Sequence, residues 1–238
     1  MNKPDRFLLD NMMIDVVRSG RRKRLSIEVG HFGVKARAPM RMRHSTIVEF
    51  VTSKQQWIED HLAGLPEQKP ELKLESGAEL LFNGSRFNLS VVHGSSKPVY
   101  ISVDQVIVPV KQSHLELEKS VSNKLIRWYK SAAYEQLEHK VAHYSGLMDV
   151  PQQKRLSVNV RDYKRRWGSC DSKGALSFNW RIIQAPEEVL DYVVVHELAH
   201  CHEFNHSKRF WSIVSQQMPD WKERQRWLHT HGAELYRL

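Results

Sequence analysis

Cysteine is scarce: the 238 residues hold two, Cys170 and Cys201. Two thiols cannot build a disulfide framework, so stability must come from an apolar core, and a reducing cytoplasm is the expected setting. Long apolar runs are missing too. None approaches the ~20 residues that span a bilayer, so no membrane partner is expected. The opening MNKPDRFLLDNMMIDVV lacks an apolar stretch followed by small residues and does not read as a signal peptide. Internal repeats and low-complexity tracts are absent. Acids are outnumbered, 27 Asp and Glu against 36 Lys and Arg, for a net charge of +9. What remains is an ordinary globular composition, 41% apolar and 26% charged, which excludes a disordered chain. The length suits one large domain or two small ones.

The positive charge is blocked. Between Arg18 and Arg43 nine Lys and Arg meet one acid, Glu28; between Lys154 and Arg181 eight meet two, Asp162 and Asp171. Blocks of one sign fit an anionic partner such as phosphate, or a solvated basic surface.

Hydrophobic periodicity supplies the elements. RLSIEV and VKARA alternate as strands, with Gly30 and Gly33 around their turn, and a helix is expected over 45–62. Residues 64–77, GLPEQKPELKLESG, read as a linker. AELLFNGSRFNLSVV reads as a hairpin turning at Asn83-Gly84, and VYISV with VIVPV as another around Asp104-Gln105. A long helix is expected over 113–145, with Leu117, Val121, Leu125, Trp128, Ala132, Leu137 and Val141 as its apolar stripe. LSVNV and GALSFNW are strands on either side of RDYKRRWGSCDSK. Pro186 then opens a helix whose first turn carries Glu187 and Glu188. The expected architecture is α+β. A β-rich N-terminal part, residues 1–112, precedes a C-terminal part, residues 113–238, built around that last helix.

That helix runs into VVVHELAHCHEFNHSKRFW, where four of the thirteen histidines fall within eleven positions. His196, Glu197 and His200 form H-E-x-x-H. Positions i and i+4 share one helix face, so both imidazoles reach one ion without bending the backbone. Glu197 lies about 100° around the helix, beside a water on that ion rather than on the ion itself. Zinc favours such nitrogen ligands, and a catalytic site leaves one position open. A third ligand is required. His206 qualifies only if the helix ends before it, and Asn205 is a residue that tolerates a left-handed end. His202, Glu223 and Glu234 are the competing donors. Cys170 reads either as a small buried residue or as a thiolate over the open position. Cys201 reads as packing on the helix's far face.

The strand at 174–180 is the expected edge of the cleft, able to pair with an extended substrate. Arg166 and Ser169 would then contact substrate; otherwise Trp167 and Gly168 make a packed turn. Phe210, Trp211, Val214 and Met218 read as packing beneath the metal loop, and His229 and His231 as surface residues.

With these residues in place, the chain resembles the YgjP-like family of metal-dependent hydrolases, grouped with zincin metallopeptidases and distantly with SprT/Spartan proteases. The resemblance rests on RSGRRKRLSIEV, RRWGSCDSKGALSFNWRIIQAP, DYVVVHELAH and NHSKRFW, in the family's order. It implies a zincin-like C-terminal part, His196, His200 and His206 as zinc ligands, and Glu197 as catalytic acid and base. Three activities fit. A zinc peptidase would act on peptides. A nucleoside triphosphate (UTP-like) pyrophosphatase would use Arg21, Arg22 and Arg24 of the basic hairpin to hold phosphates. A non-enzymatic nucleic-acid binder would carry its zinc as a structural ion.

Overall fold

A computed structural model of the chain describes residues 5–10, 12–30, 33–63, 70–111, 116–164 and 166–238. They form a mixed α+β structure in two compact units, Met1–Gln68 and Lys69–Leu238. The break falls before the second group of strands rather than after it, near the expected residue 112. The reason is a shared core: Leu80, Leu89, Val106 and Val108 pack with Leu125 and Tyr129 of the following helix. Residues 64–69 of the expected linker and 112–115 lie outside the described residues. Pro70 and Leu72 are tied to the chain's far end, where Leu72 N–H donates to the Arg237 carbonyl at 3.0 Å.

In the first unit, β1 (Arg6–Leu9), β2 (Met12–Ser19), β3 (Ser26–Gly30) and β4 (Gly33–Pro39) form one sheet in the order β1-β2-β4-β3. The inner pair, β2 and β4, is parallel. Alternation buries Ile14 and Val16 on one strand and Val34, Ala36 and Ala38 on the other. The β1–β2 hairpin lies in the opening segment, where no strand was expected. The single helix expected over 45–62 is two, α1 (His44–Thr52) and α2 (Gln55–Ala63). Ser53 interrupts it: its hydroxyl donates to the Phe50 carbonyl at 2.8 Å, competing with the helical ladder.

The second unit repeats that topology with β5 (Glu79–Phe82), β6 (Ser85–His93), β7 (Tyr100–Ser102) and β8 (Gln105–Val110), ordered β5-β6-β8-β7 with β6 and β8 parallel. The long helix α3 (Leu117–Leu147) follows. Its buried stripe is Val121, Leu125, Tyr129, Ala133, Leu137 and Val141, a strict step of four. Trp128 and Ala132 of the expected stripe stand at its flank, half-buried. Tyr129 donates its hydroxyl to the Leu81 carbonyl at 2.8 Å, pinning helix to sheet.

A three-stranded sheet completes the unit: β9 (Ser157–Arg161), β10 (Gly168–Cys170) and β11 (Ala175–Asn179), ordered β10-β11-β9. β11 pairs on both sides, so it is not the edge strand expected at 174–180; among the described residues β10 is an edge of this sheet. Trp180, fully buried in the 3-10 turn after β11, leads into α4 (Glu187–Ala199). Nine of the thirteen α4 residues are buried, which explains its nearly continuous apolar run. α5 (Lys208–Gln217) and α6 (Trp221–His231) close the chain. Among the described residues no helix is long and apolar enough to cross a membrane.

Candidate metal centre

α4 delivers His196 and Glu197 from its last turn and ends at Ala199, with His200 as its C-cap. Cys201 N–H still reaches the Leu198 carbonyl at 2.9 Å, and His202 and Glu203 both donate to Ala199 at 3.0 Å. The chain then leaves the helix axis. Asn205 is not left-handed, contrary to expectation: the described non-glycine residues at positive φ are Asp10, Asn83, Val103 and Asp149. The turn is made earlier, by the overwound end of the helix. Ser207 then caps α5, its hydroxyl accepting from Phe210 N–H at 3.3 Å, and so presents His206 back toward α4.

The result is a convergence of His196, His200 and His206, whose ligand nitrogens lie within 4.8 Å of one another. His196 Nε2 and His206 Nε2 are 3.0 Å apart. Nitrogens sharing one tetrahedral zinc sit about 3.3 Å apart at ordinary Zn–N lengths, so the His196–His206 pair stands near that spacing and the three rings can close on one ion by small side-chain rotations. His200 Nδ1 is 3.1 Å from the Glu203 carbonyl, a contact that turns Nε2 toward the cluster. Burial first, then the neighbouring His200 and His206, pull His196 down from 6.5 to about 3, so it is a neutral donor at ordinary pH. Phe210 underlies all three rings at centroid distances of 4.6–5.0 Å. Trp211 flanks His196 and His206 and stacks on Trp221 at 4.1 Å, the packing role expected of these aromatics. Among the described residues His202, Glu223 and Glu234 do not join the cluster.

Glu197 is 5% exposed, and burial raises its carboxyl from 4.5 to about 8 against the opposing charge of Arg166. Gly168 explains how a carboxylate fits there: a Cβ at this position would lie 2.5 Å from Glu197 Oε1. From the sequence, Gly168 is expected only as part of a packed turn with Trp167, the alternative to a substrate-contacting segment. The structure puts it in a strand, β10, where a glycine often marks a close approach. Beside Glu197 and His196 opens a cavity of about 290 Å³, lined by Arg166, Trp167, Gly168, Tyr192, Val193, Gln225 and Leu228. Arg166 therefore stands at the site as expected. Ser169 is on β10 but does not line the cavity; its hydroxyl is 3.2 Å from Tyr163 Oη. The α6 contribution, Gln225 and Leu228, was not foreseen, because nothing in the pattern of that helix distinguishes pocket from surface. Arg21, Arg22 and Arg24 belong to the first unit: Arg21 and Arg24 are exposed, and Arg22 donates to Ser26 Oγ at 2.9 Å. Cys170 and Cys201, read separately above, are in contact, with sulfurs 3.7 Å apart.

No curated protein matches the chain. Among solved structures it is similar to the metallopeptidase zymogen abylysin of Pyrococcus abyssi, at 26% identity over 39% of this chain and 91% of that one, with a TM-score of 0.35. It is also similar to the metallopeptidase zymogen jannalysin of Methanocaldococcus jannaschii, at 18% identity over 38% and 90%, with a TM-score of 0.34. The model of the YgjP-like metallopeptidase domain matches residues 23–231, from the basic hairpin to the end of α6. The chain belongs to the YgjP-like metallopeptidase family.

Proposed function

We propose that the protein is a zinc-dependent peptidase, with His196, His200 and His206 as ligands and Glu197 as general base and acid, in a zincin-like C-terminal part. The observation that carries this reading is the three-histidine convergence beside a buried carboxyl and an open cavity. Three histidines leave room for a solvent ligand, unlike closed structural sites.

Zinc, when bound, supplies a Lewis acid and a water acidified toward neutrality. His200 is aimed by the Glu203 carbonyl, and His196 stays unprotonated because it is buried. Glu197 takes the attacking water's proton at its carboxylate and returns it to the leaving amine. Burial raises the carboxyl above the ordinary carboxylate range, which favours its holding the proton between the two transfers. Gly168 keeps the space that carboxylate needs. Arg166, at the cavity rim, offers a cation to the polarised carbonyl oxygen or to a substrate carboxylate. Among the described residues β10 is an edge strand and offers backbone groups to an extended peptide, and the cavity beside it accepts a side chain.

The test is a substrate panel on zinc-loaded protein: casein and short peptides beside nucleoside triphosphates, with and without chelator. Peptide cleavage that stops with chelator is expected. Glu197→Gln should lower it by about 10²–10⁴-fold while zinc stoichiometry stays unchanged. Phosphate release without peptide cleavage would favour the pyrophosphatase reading instead. Salt-sensitive DNA binding that survives chelation, without turnover, would favour the structural-zinc reading.

A further inference from the structure

The fold brings the chain's only two cysteines together across 31 residues, Cys170 at the end of β10 and Cys201 just past α4. Their sulfurs are 3.7 Å apart, in van der Waals contact. A disulfide needs about 2.05 Å, so closure requires an approach of about 1.7 Å. Both sulfurs sit where the chain can yield. β10 is a three-residue edge strand, and Cys201 lies in the irregular turn after α4. Exposure is unequal: Cys170 is half-buried and Cys201 is buried.

We propose that this pair is an oxidation site, converted to an intrachain disulfide by hydrogen peroxide and reopened by a dithiol. Cys170, the more accessible sulfur, attacks one peroxide oxygen. The S–O bond forms as the O–O bond breaks, the departing hydroxide takes the Cys170 thiol proton and leaves as water, and Cys170 becomes a sulfenic acid. Cys201 sulfur then attacks Cys170 sulfur. The S–O bond breaks, the S–S bond forms, and the hydroxyl departs with the Cys201 proton as a second water. Two thiols are oxidised by two electrons and one peroxide is reduced to two waters. Cys201 directly follows His200, and Cys170 is two residues from Gly168, which packs on Glu197. Drawing the sulfurs together therefore shifts His200 against His196 and His206, and the disulfide form holds zinc more weakly. This last step rests on the metal centre proposed above.

The experiment uses the full chain, with hydrogen peroxide at a few equivalents, alkylation and peptide mapping. A cross-linked peptide joining residues 170 and 201 is expected, lighter by two hydrogens and lost on dithiothreitol treatment. Cys201→Ser should instead leave a sulfenic acid on Cys170 that a dione reagent traps. Two fully alkylatable thiols after peroxide, or cross-links only between chains, overturn the proposal. Competition with a chromophoric zinc chelator should show at least threefold weaker hold in the oxidised wild type. Cys170→Ser given the same peroxide should show no change; equal affinities in both wild-type states overturn the link to the ligands. A protein that binds no zinc in either state refutes the metal reading, whereas the peptide map alone decides the cross-link.

Discussion

Glu197 and His196 are neighbours whose protonation is displaced in opposite senses, and the metal-free protein should record both. Burial keeps Glu197 protonated up to about 8 from an ordinary 4.5, so the folded state loses stability as pH rises across that interval. His196 refuses a proton down to about 3 from an ordinary 6.5, so stability is lost as pH falls across that one. Between 4.5 and 6.5 the slopes cancel. Urea unfolding of chelator-treated protein should therefore show a plateau in that range, with both arms falling by roughly 1 kcal/mol per pH unit. Glu197→Gln should flatten the arm above 6.5 and replace the plateau by a continuation of the acid arm, because nothing then offsets His196; an unchanged alkaline arm would refute the assignment. Gly168→Ala tests the carboxylate's seat. A methyl group 2.5 Å from Oε1 must displace it, so peptide turnover should drop by about 10²-fold with zinc still bound. Turnover within a few-fold of wild type would show that the contact is not needed.

At the scale of elements, the site depends on where α4 starts as much as on where it stops. The Asn83-Gly84 turn between β5 and β6 docks on that start, with Asn83 N–H donating to the Ile183 carbonyl at 2.8 Å and Gly84 N–H to Gln184 at 3.1 Å. Gly84 has φ +75°, and a Cβ there would lie 2.9 Å from Pro186 Cα, on the residue preceding α4. Gly84→Ala should cost roughly 2 kcal/mol through strain and overpacking, read as a lower urea midpoint with an unchanged slope. A neutral substitution would mean that the turn can move off α4 freely. From the other side, Lys140 of α3 holds Glu187 at 2.8 Å and Asp191 at 2.6 Å, so the first half of α4 is gripped by both sheet turn and long helix.

At the scale of the molecule, each unit carries its own core: Ile14, Val34, Ile47 and Ile58 in the first, and a much larger set around α3 and α4 in the second. Residues 69–238 hold every residue of the candidate centre. Expressed alone, that fragment should fold cooperatively and bind one zinc with an affinity within about threefold of the full chain. Circular dichroism and chelator competition measure this. An unfolded fragment would show that the first unit is required for the second to form.

Much of this was written locally. Asn83-Gly84, the alternation around β3 and β4, the long helix α3 and the i, i+4 histidines of α4 each follow from a neighbour-range rule, and each element formed, although the buried stripe of α3 runs through Tyr129 and Ala133 rather than Trp128 and Ala132. The third histidine was legible in part: its spacing required the helix to end, but the overwound end at Ala199 and the Ser207 cap, not a left-handed Asn205, produce the turn. Other features depend on residues distant in sequence. Two four-stranded sheets share one topology without any repeat in sequence, because parallel pairing of inner strands leaves no mark on the order of residues. Which strand is the edge was misjudged for the same reason: β11 and β10 are told apart only by a partner, β9, that pairs from elsewhere. Gly168 against Glu197 and Cys170 against Cys201 are contacts across about thirty residues. Periodicity and capping act within a turn or two of backbone, so they determined the elements and the two-histidine face. Packing of those elements, which depends on summed shape and burial across the chain, decided the pocket, the carboxyl's seat and the meeting of the two thiols.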